Sequence, residues 1–245
     1  MAEKTLCLDF GNTRRKAAIF IDDTLTEAFD LENGDTENIS FVLDRYAPEK
    51  SILSSVIDHD AAIEEILRSK TKFHRLSHQT KLNFVSPVNK PETIGADRLA
   101  LAAAAVHFFP KKNNLIIGLG SCITYNFINQ YHQFLGGSIS PGKKMRFRAM
   151  HEFTAKLPLA KDPWHFPLVG YDTNTNLQCG VLAGMAMEIE GIIGKYSEKY
   201  GNFNVVLTGG DSAYFATQLK KEIFADFNFL FKGLYAISEL NNAAT

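Results

Sequence analysis

The chain has 245 residues, 45% hydrophobic and 22% charged, with 26 basic and 27 acidic side chains for a formal net charge of −1. Such a length forms one large domain or two modest ones with a real core, and the composition is that of an ordinary globular protein. The balanced charge gives no electrostatic footprint for nucleic acid or an anionic membrane, either of which needs a basic surplus or stripe.

In chain order, the pattern predicts a strand at Lys4 to Phe10, a turn at Gly11-Asn12-Thr13, a strand at Ala17 to Ile21, and a third at Leu25 to Phe29. This is a β-meander. A helix follows near Thr36–Tyr46, then a strand at Ser51–Ile57, a helix at Ala61–Ser69, a strand near Lys72–Leu76 and an alanine-rich helix at Ala96–Phe109. Pro110 and the polar run Lys111 to Asn114 make the best boundary, giving an N-terminal half at 1–112 and a C-terminal half at 113–245.

After that boundary the opening pattern returns. Leu115 to Leu119 is an apolar strand entering Gly120-Ser121-Cys122, and Ile123 to Ile128 is the returning strand. Superposing Gly120 on Gly11 puts Ser121 on Asn12 and Gly118 on Asp9. A helix is expected from about Gly142 to Leu157, then a loop rich in Pro and aromatics through Pro167 and a long helix from about Thr173 to Tyr200. The strand Asn204–Leu207 enters Thr208-Gly209-Gly210 before a final helical region. Two halves that open alike and both carry helices predict a duplicated α/β architecture, its two turns facing each other across a cleft. The basic stretch Lys143, Lys144, Arg146, Arg148 alternates with Met145, Phe147 and Met150 and reads as a solvated helix face.

A glycine turn after a strand lets backbone N–H groups point into one concavity, with no Cβ to block an anion. Asn12, Thr13 and Ser121 add side-chain donors, and Asp9 ends its strand where a carboxylate can hold Mg²⁺. The alternative is a plain hairpin whose Asp and Thr satisfy turn backbone groups. Gly137 to Lys143 matches the spacing of a P-loop, but Lys144 stands where Ser or Thr would bind Mg²⁺ and Pro141 removes a donor, so it is not one. There is no Gly-x-Ser-x-Gly elbow and no His-Glu-x-x-His helix, and the seven histidines show no metal spacing. The three cysteines, Cys7, Cys122 and Cys179, are odd in number and far apart, and no secretory signal or long apolar run is seen. A cytoplasmic protein with reduced thiols, and no membrane or nucleic-acid partner, is expected.

With Gly95-Ala96-Asp97-Arg98, Gly136 to Gly142, Gly170-Tyr171-Asp172-Thr173 and Thr208-Gly209-Gly210 added to the first turn, the sequence resembles type III pantothenate kinase. That family belongs to the superfamily of acetate and sugar kinases, heat-shock ATPases and actin. The resemblance implies two similar actin-like (ribonuclease H-like) halves with an ATP cleft between them. It also implies phosphorylation of pantothenate to 4'-phosphopantothenate, the first step of coenzyme A synthesis, by a homodimer using ATP with Mg²⁺ and a monovalent cation, K⁺ or NH₄⁺. Carried onto these positions, Asp9 serves the metal, and Gly11, Asn12, Thr13 and Lys16 face phosphates. Gly120, Ser121, Gly209 and Gly210 lie against the nucleotide. Asp97 is the general base, Arg98 clamps the pantothenate carboxylate, Gly95 lets substrate approach, and Thr173 reaches the neighbouring subunit's substrate.

The chain departs from the family at three places. Gly118 stands for the usual Asp of the second turn, near the monovalent cation. Asn126 stands for a further Asp, and Val88 for a tyrosine on the substrate side. The expectation is an active kinase with an altered cation requirement; the alternative is a weakened homologue with a binding or regulatory role.

Overall fold

Leu6, Cys7, Leu8 and Phe10 are all fully buried, so the first strand is covered on both faces, as expected of a central strand in a mixed sheet. The computed structural model describes residues 2–220 and 223–242. The chain forms two units. One comprises the residues up to Lys111, Ile128–Gly136 and those from Asn228 on; the other is Lys112–Phe127 with Gly137–Phe227.

The first unit holds β1 (Lys4–Phe10), β2 (Arg15–Ile21), β3 (Thr24–Leu31), α1 (Thr36–Tyr46), β4 (Lys50–Ser55), α2 (Ala61–Lys70), β5 (Lys72–Arg75) and α3 (Ala96–Phe108). Its sheet runs β3-β2-β1-β4-β5, with β2 antiparallel to β1 and β3, β4 parallel to β1, and β5 parallel to β4. The predicted bounds of α1, α2 and the long helix agree closely with those found. Asp35, Asp60 and Asp172 cap these helices by accepting the backbone N–H groups of Asn38, Ala62 and Thr175.

The remaining elements are β6 (Asn113–Leu119), β7 (Cys122–Ile128), β8 (Phe134–Pro141), α4 (Lys143–Glu152), α5 (Thr173–Tyr200), β9 (Phe203–Thr208), α6 (Ser212–Ala216), β10 (Phe224–Ala225) and α7 (Phe229–Asn242). The second sheet runs β10-β9-β6-β7-β8, the order of the first with every strand replaced by its counterpart. The fold is α/β and duplicated.

The structure adds one local feature and changes two local readings. The Gly137–Pro141 stretch is the end of strand β8, and Gly137 at φ +153 brings its backbone against Tyr125, where a Cβ would lie 1.8 Å from the carbonyl oxygen. The following helix stops at Glu152, short of Leu157; the Thr154 hydroxyl donates to the Met150 carbonyl, a local bond that competes with helix continuation. Of the basic stretch, Lys144 and Arg148 are exposed as expected, whereas Lys143 is buried and Arg146 is held by Glu188.

By length and composition α5 could cross a membrane, although its apolar residues are interrupted by polar ones. Leu177, Val181, Leu182, Met185, Ile189 and Ile193 instead join the core of the second unit.

The contact units do not follow a single cut after residue 112, because α7 returns to α3. Every residue from Leu99 to Val106 on α3 is buried, and its alanines let α7 approach closely. A Cβ on Gly233 would lie 1.9 Å from the Ala100 carbonyl oxygen. Gly233→Ala should therefore destabilise the protein by about 3 kcal/mol, the upper range for overpacking. Gly191→Ala on α5, where a Cβ meets nothing within 4 Å, should gain up to ~1 kcal/mol from helix propensity. Urea unfolding midpoints of the two variants check both.

Candidate active site

In the first unit the β1–β2 connection is the four-residue loop Gly11–Arg14, closed by the Gly11 N–H donating to the Arg14 carbonyl at 3.0 Å. Asn12 and Thr13 are exposed at its tip. With Arg14, Arg15, Asp30, Glu32 and Asn33 they line a cavity of about 440 Å³. Arg14 pairs with Asp30 at 3.3 Å, and Arg15 donates to the carbonyls of Asn33 and Gly34, so both cations are engaged with the β3–α1 side of the cavity. The acidic and amide residues of that wall, Asp30 near the end of β3 and Glu32 and Asn33 just after it, have no motif of their own, and no pattern in the sequence marks them.

Asp9 sits one residue inside the end of β1. Its cross-strand neighbours are Lys16 on β2 and Ser54 on β4, and the Ser54 hydroxyl donates to Asp9 Oδ1 at 3.2 Å. Ser54 was absent from the sequence-derived site; the parallel register of β4 on β1 puts it there. Burial first, and the charge of Asp97 second, push the Asp9 carboxyl up to about 7, while the Ser54 hydrogen bond and Lys16 act the other way. Lys16 is lowered chiefly by desolvation.

Asp97 occupies the first turn of α3, where an acid suits the positive end of the helix. Its carboxylate accepts the backbone N–H of Arg98 and its own, and these bonds and the Arg98 charge oppose the rise that burial imposes on its pKa. Gly95 begins this helix, and a Cβ there would lie 2.5 Å from Asp97 Oδ1. The glycine thus has an internal reason: it lets the Asp97 carboxylate fold back over the helix start. Arg98 places its guanidinium carbon 5.7 Å from the Phe134 ring centroid, a cation–π contact that fixes its plane. Val88 is half-buried, and Val56 lies 3.8 Å from where a Gly95 Cβ would be. Asp9, Asp97 and their neighbours are thereby brought together within one unit.

In the second unit the β6–β7 connection is only two residues, Gly120 and Ser121, and the Gly120 N–H donates to the Cys122 carbonyl at 3.0 Å. This turn is tighter than the first and carries no acid. Gly118 lies within β6 and pairs with Thr208, and Asn126 is fully buried, its amide donating to the Ile116 carbonyl at 3.3 Å and Thr124 Oγ1 at 3.2 Å. Gly209 takes φ +95, and a Cβ on it would lie 2.4 Å from the Leu119 carbonyl oxygen; Gly210 is open. Thr173 is exposed at the first position of α5, after the capping box of Asp172 and Thr175. Among the described residues no three His, Cys, Asp or Glu side chains cluster as a metal site.

A family model described as type III pantothenate kinase matches residues 5–195. A type III pantothenate kinase of Christiangramia forsetii is 40% identical over 238 residues, covering 96% of this chain and 98% of the relative. Among solved structures, a Campylobacter jejuni protein described as a conserved Baf family transcriptional activator superposes with a TM-score of 0.63 at 20% identity, covering 98% of this chain and all of that one. A glucokinase from an Antarctic psychrotroph gives a TM-score of 0.51 at 11% identity, with 98% and 100% covered. These two likenesses carry the fold alone. The sequence relatives and the family model carry more, and on them this chain belongs to the type III pantothenate kinase family.

Proposed function

We propose that the chain transfers the γ-phosphoryl group of ATP to the hydroxyl of pantothenate, giving 4'-phosphopantothenate and ADP, the entry step of coenzyme A synthesis. Beside the family membership, the observation that carries this reading is the half-buried pair Asp9 and Asp97, both raised in pKa by desolvation and flanked by Arg98, in the unit that presents the Gly11–Arg14 loop.

Asp97 accepts the proton of the alcohol as its oxygen attacks the γ-phosphorus and the bond to the ADP oxygen breaks. Arg98, with a planar fork of donors held on Phe134, suits the carboxylate of the acceptor. Gly95 lets the Asp97 carboxylate fold over the start of α3 beside it, and Val88 offers an apolar contact where the family has a phenol. Gly11, Asn12, Thr13 and Lys16 receive phosphate oxygens, while Gly120, Ser121, Gly209 and Gly210 take other parts of the nucleotide. Thr173 contributes from a second copy in a homodimer, working in the cytoplasm.

The residues fit Mg²⁺ held mainly by nucleotide phosphates: a buried carboxylate raised by desolvation gains from a cation, and Mg²⁺ needs only one or two carboxylates beside the phosphates. Bound with ATP, Mg²⁺ neutralises charge on the β- and γ-phosphates. The residues at Gly118 and Asn126 do not fit a carboxylate-held K⁺ or NH₄⁺, since neither brings a charge.

The test is ADP release from pantothenate and Mg–ATP, with K⁺ and NH₄⁺ varied separately. Pantothenate-dependent ADP is expected, with little change when either monovalent cation is withdrawn. ATP binding without pantothenate-dependent ADP would favour the weakened homologue instead.

A further inference from the structure

Two loops of the second unit meet at the start of α4. Gly142 is buried, its N–H donates to the Ser121 carbonyl at 3.1 Å, and a Cβ on it would lie 2.2 Å from the Gly120 carbonyl oxygen and 2.7 Å from that of Ser121. The Gly120–Ser121 turn is therefore held by direct backbone contact. On the other loop, the Asp211 N–H donates to the Leu119 carbonyl at 3.3 Å, the oxygen against which Gly209 packs. Lys143 follows Gly142 and turns inward, its side chain only 8% exposed. Its ammonium lies 2.9 Å from Asp211 Oδ1 and 2.6 Å from Asp162 Oδ2, and 5.4 Å from the Tyr214 ring centroid.

We propose that Lys143 is a positioning residue for the nucleotide: through Asp211 it fixes the Gly209–Asp211 loop to the Gly120–Ser121 turn that Gly142 holds. Lys143 does not act as a P-loop lysine, because both of its carboxylate partners lie within the protein. Its second task is electrostatic. Asp211 adjoins two glycines that the kinase reading gives to the nucleotide, and an unpaired carboxylate there would repel phosphate. Of these charged side chains only Lys143 is buried, and removing its charge leaves the half-buried Asp211 carboxylate less compensated, so the two single changes should differ from the double change.

The inference rests on that reading for its link to phosphoryl transfer, so binding and turnover are measured separately. Lys143→Met should weaken Mg–ATP binding by calorimetric titration about 10- to 100-fold, the scale of misplaced contacts in a binding site. It should raise KM for ATP alike and leave KM for pantothenate within about twofold. Lys143→Arg should restore most of the affinity, and Asp211→Asn added to Lys143→Met should recover part of it by removing the stranded charge. Asp162→Asn, which keeps the Lys143–Asp211 contact, should leave ATP binding near wild type. Unchanged ATP affinity in folded Lys143→Met overturns the proposal, as does an equal rise in both KM values, which marks a general loss of structure. Should Lys143→Met not fold, unchanged ATP affinity in Asp211→Asn overturns it equally. A wild-type protein that binds Mg–ATP but ignores pantothenate would refute the kinase reading while the titrations still decide this one.

Discussion

Asp97→Asn is expected to lower kcat by roughly 10²- to 10⁴-fold while the protein stays folded. An alcohol is a poor nucleophile, so the reaction needs an acceptor for its proton within hydrogen-bond reach. Asp97 is suited to this by environment as well as by type. Burial raises its pKa above the ordinary carboxylate value, making it a stronger base at neutral pH, while the backbone N–H groups and Arg98 keep the rise in check. Asparagine retains an oxygen for those N–H groups, so the start of α3 and the thermal midpoint should change little. The sign in pH follows. Wild-type turnover should fall on the acid side as Asp97 takes up its proton, with that limb displaced upward from the usual carboxylate range, and the acid limb left in the variant should be that of Asp9 alone. A pH–rate profile beside a melting curve checks both; turnover within about threefold of wild type would remove Asp97 from the base role.

The second large effect has two opposed parts. Asp9→Asn should reduce turnover by about 10²-fold or more, the scale of losing a preorganised electrostatic contact, and should make the empty protein more stable. Asp9 is raised from 3.8 to about 7 by burial and by Asp97. The folded state therefore keeps the proton to higher pH than the unfolded chain does. It loses stability as pH rises from about 4 to about 7, and the loss persists above that. Asparagine never ionises. The stability gap between variant and wild type should widen by about 2–3 kcal/mol from pH 5 to pH 8. Urea denaturation at the two pH values reads the difference directly, and a constant gap would mean that Asp9 is already ionised when folded. Such an exchange of stability for function is common where a carboxylate is kept buried for a ligand.

Much of this was legible in the residues. Apolar patterning placed the strands and the three helices whose starts the structure shows capped by Asp35, Asp60 and Asp172. The two Gly turns and their strand pairs revealed the duplication, since each follows an apolar run in the same way. What escaped was what depends on distant backbone. Gly136 and Gly137 carried no strand signal, and only the structure shows them in β8, both at positive φ and Gly137 packed against the Tyr125 backbone. Lys143 read as solvated because nothing near it in sequence predicts Asp162 and Asp211 at its ammonium. Ser54 carries no motif and reaches Asp9 only through the parallel register.

The return of α7 onto α3 bears on how the chain is made. Proteins commonly fold from the N-terminus as they leave the ribosome, one domain completing before the next. Here the first unit draws on residues from Asn228 onward, whereas the second is complete by Phe227. The half synthesised first must wait until Asn228 and the residues after it have been made, with the α7-facing side of α3 uncovered until α7 emerges. A ribosome that stops before Asn228 would release a protein with a finished second unit and an unfinished first one, the unit that carries Asp9 and Asp97.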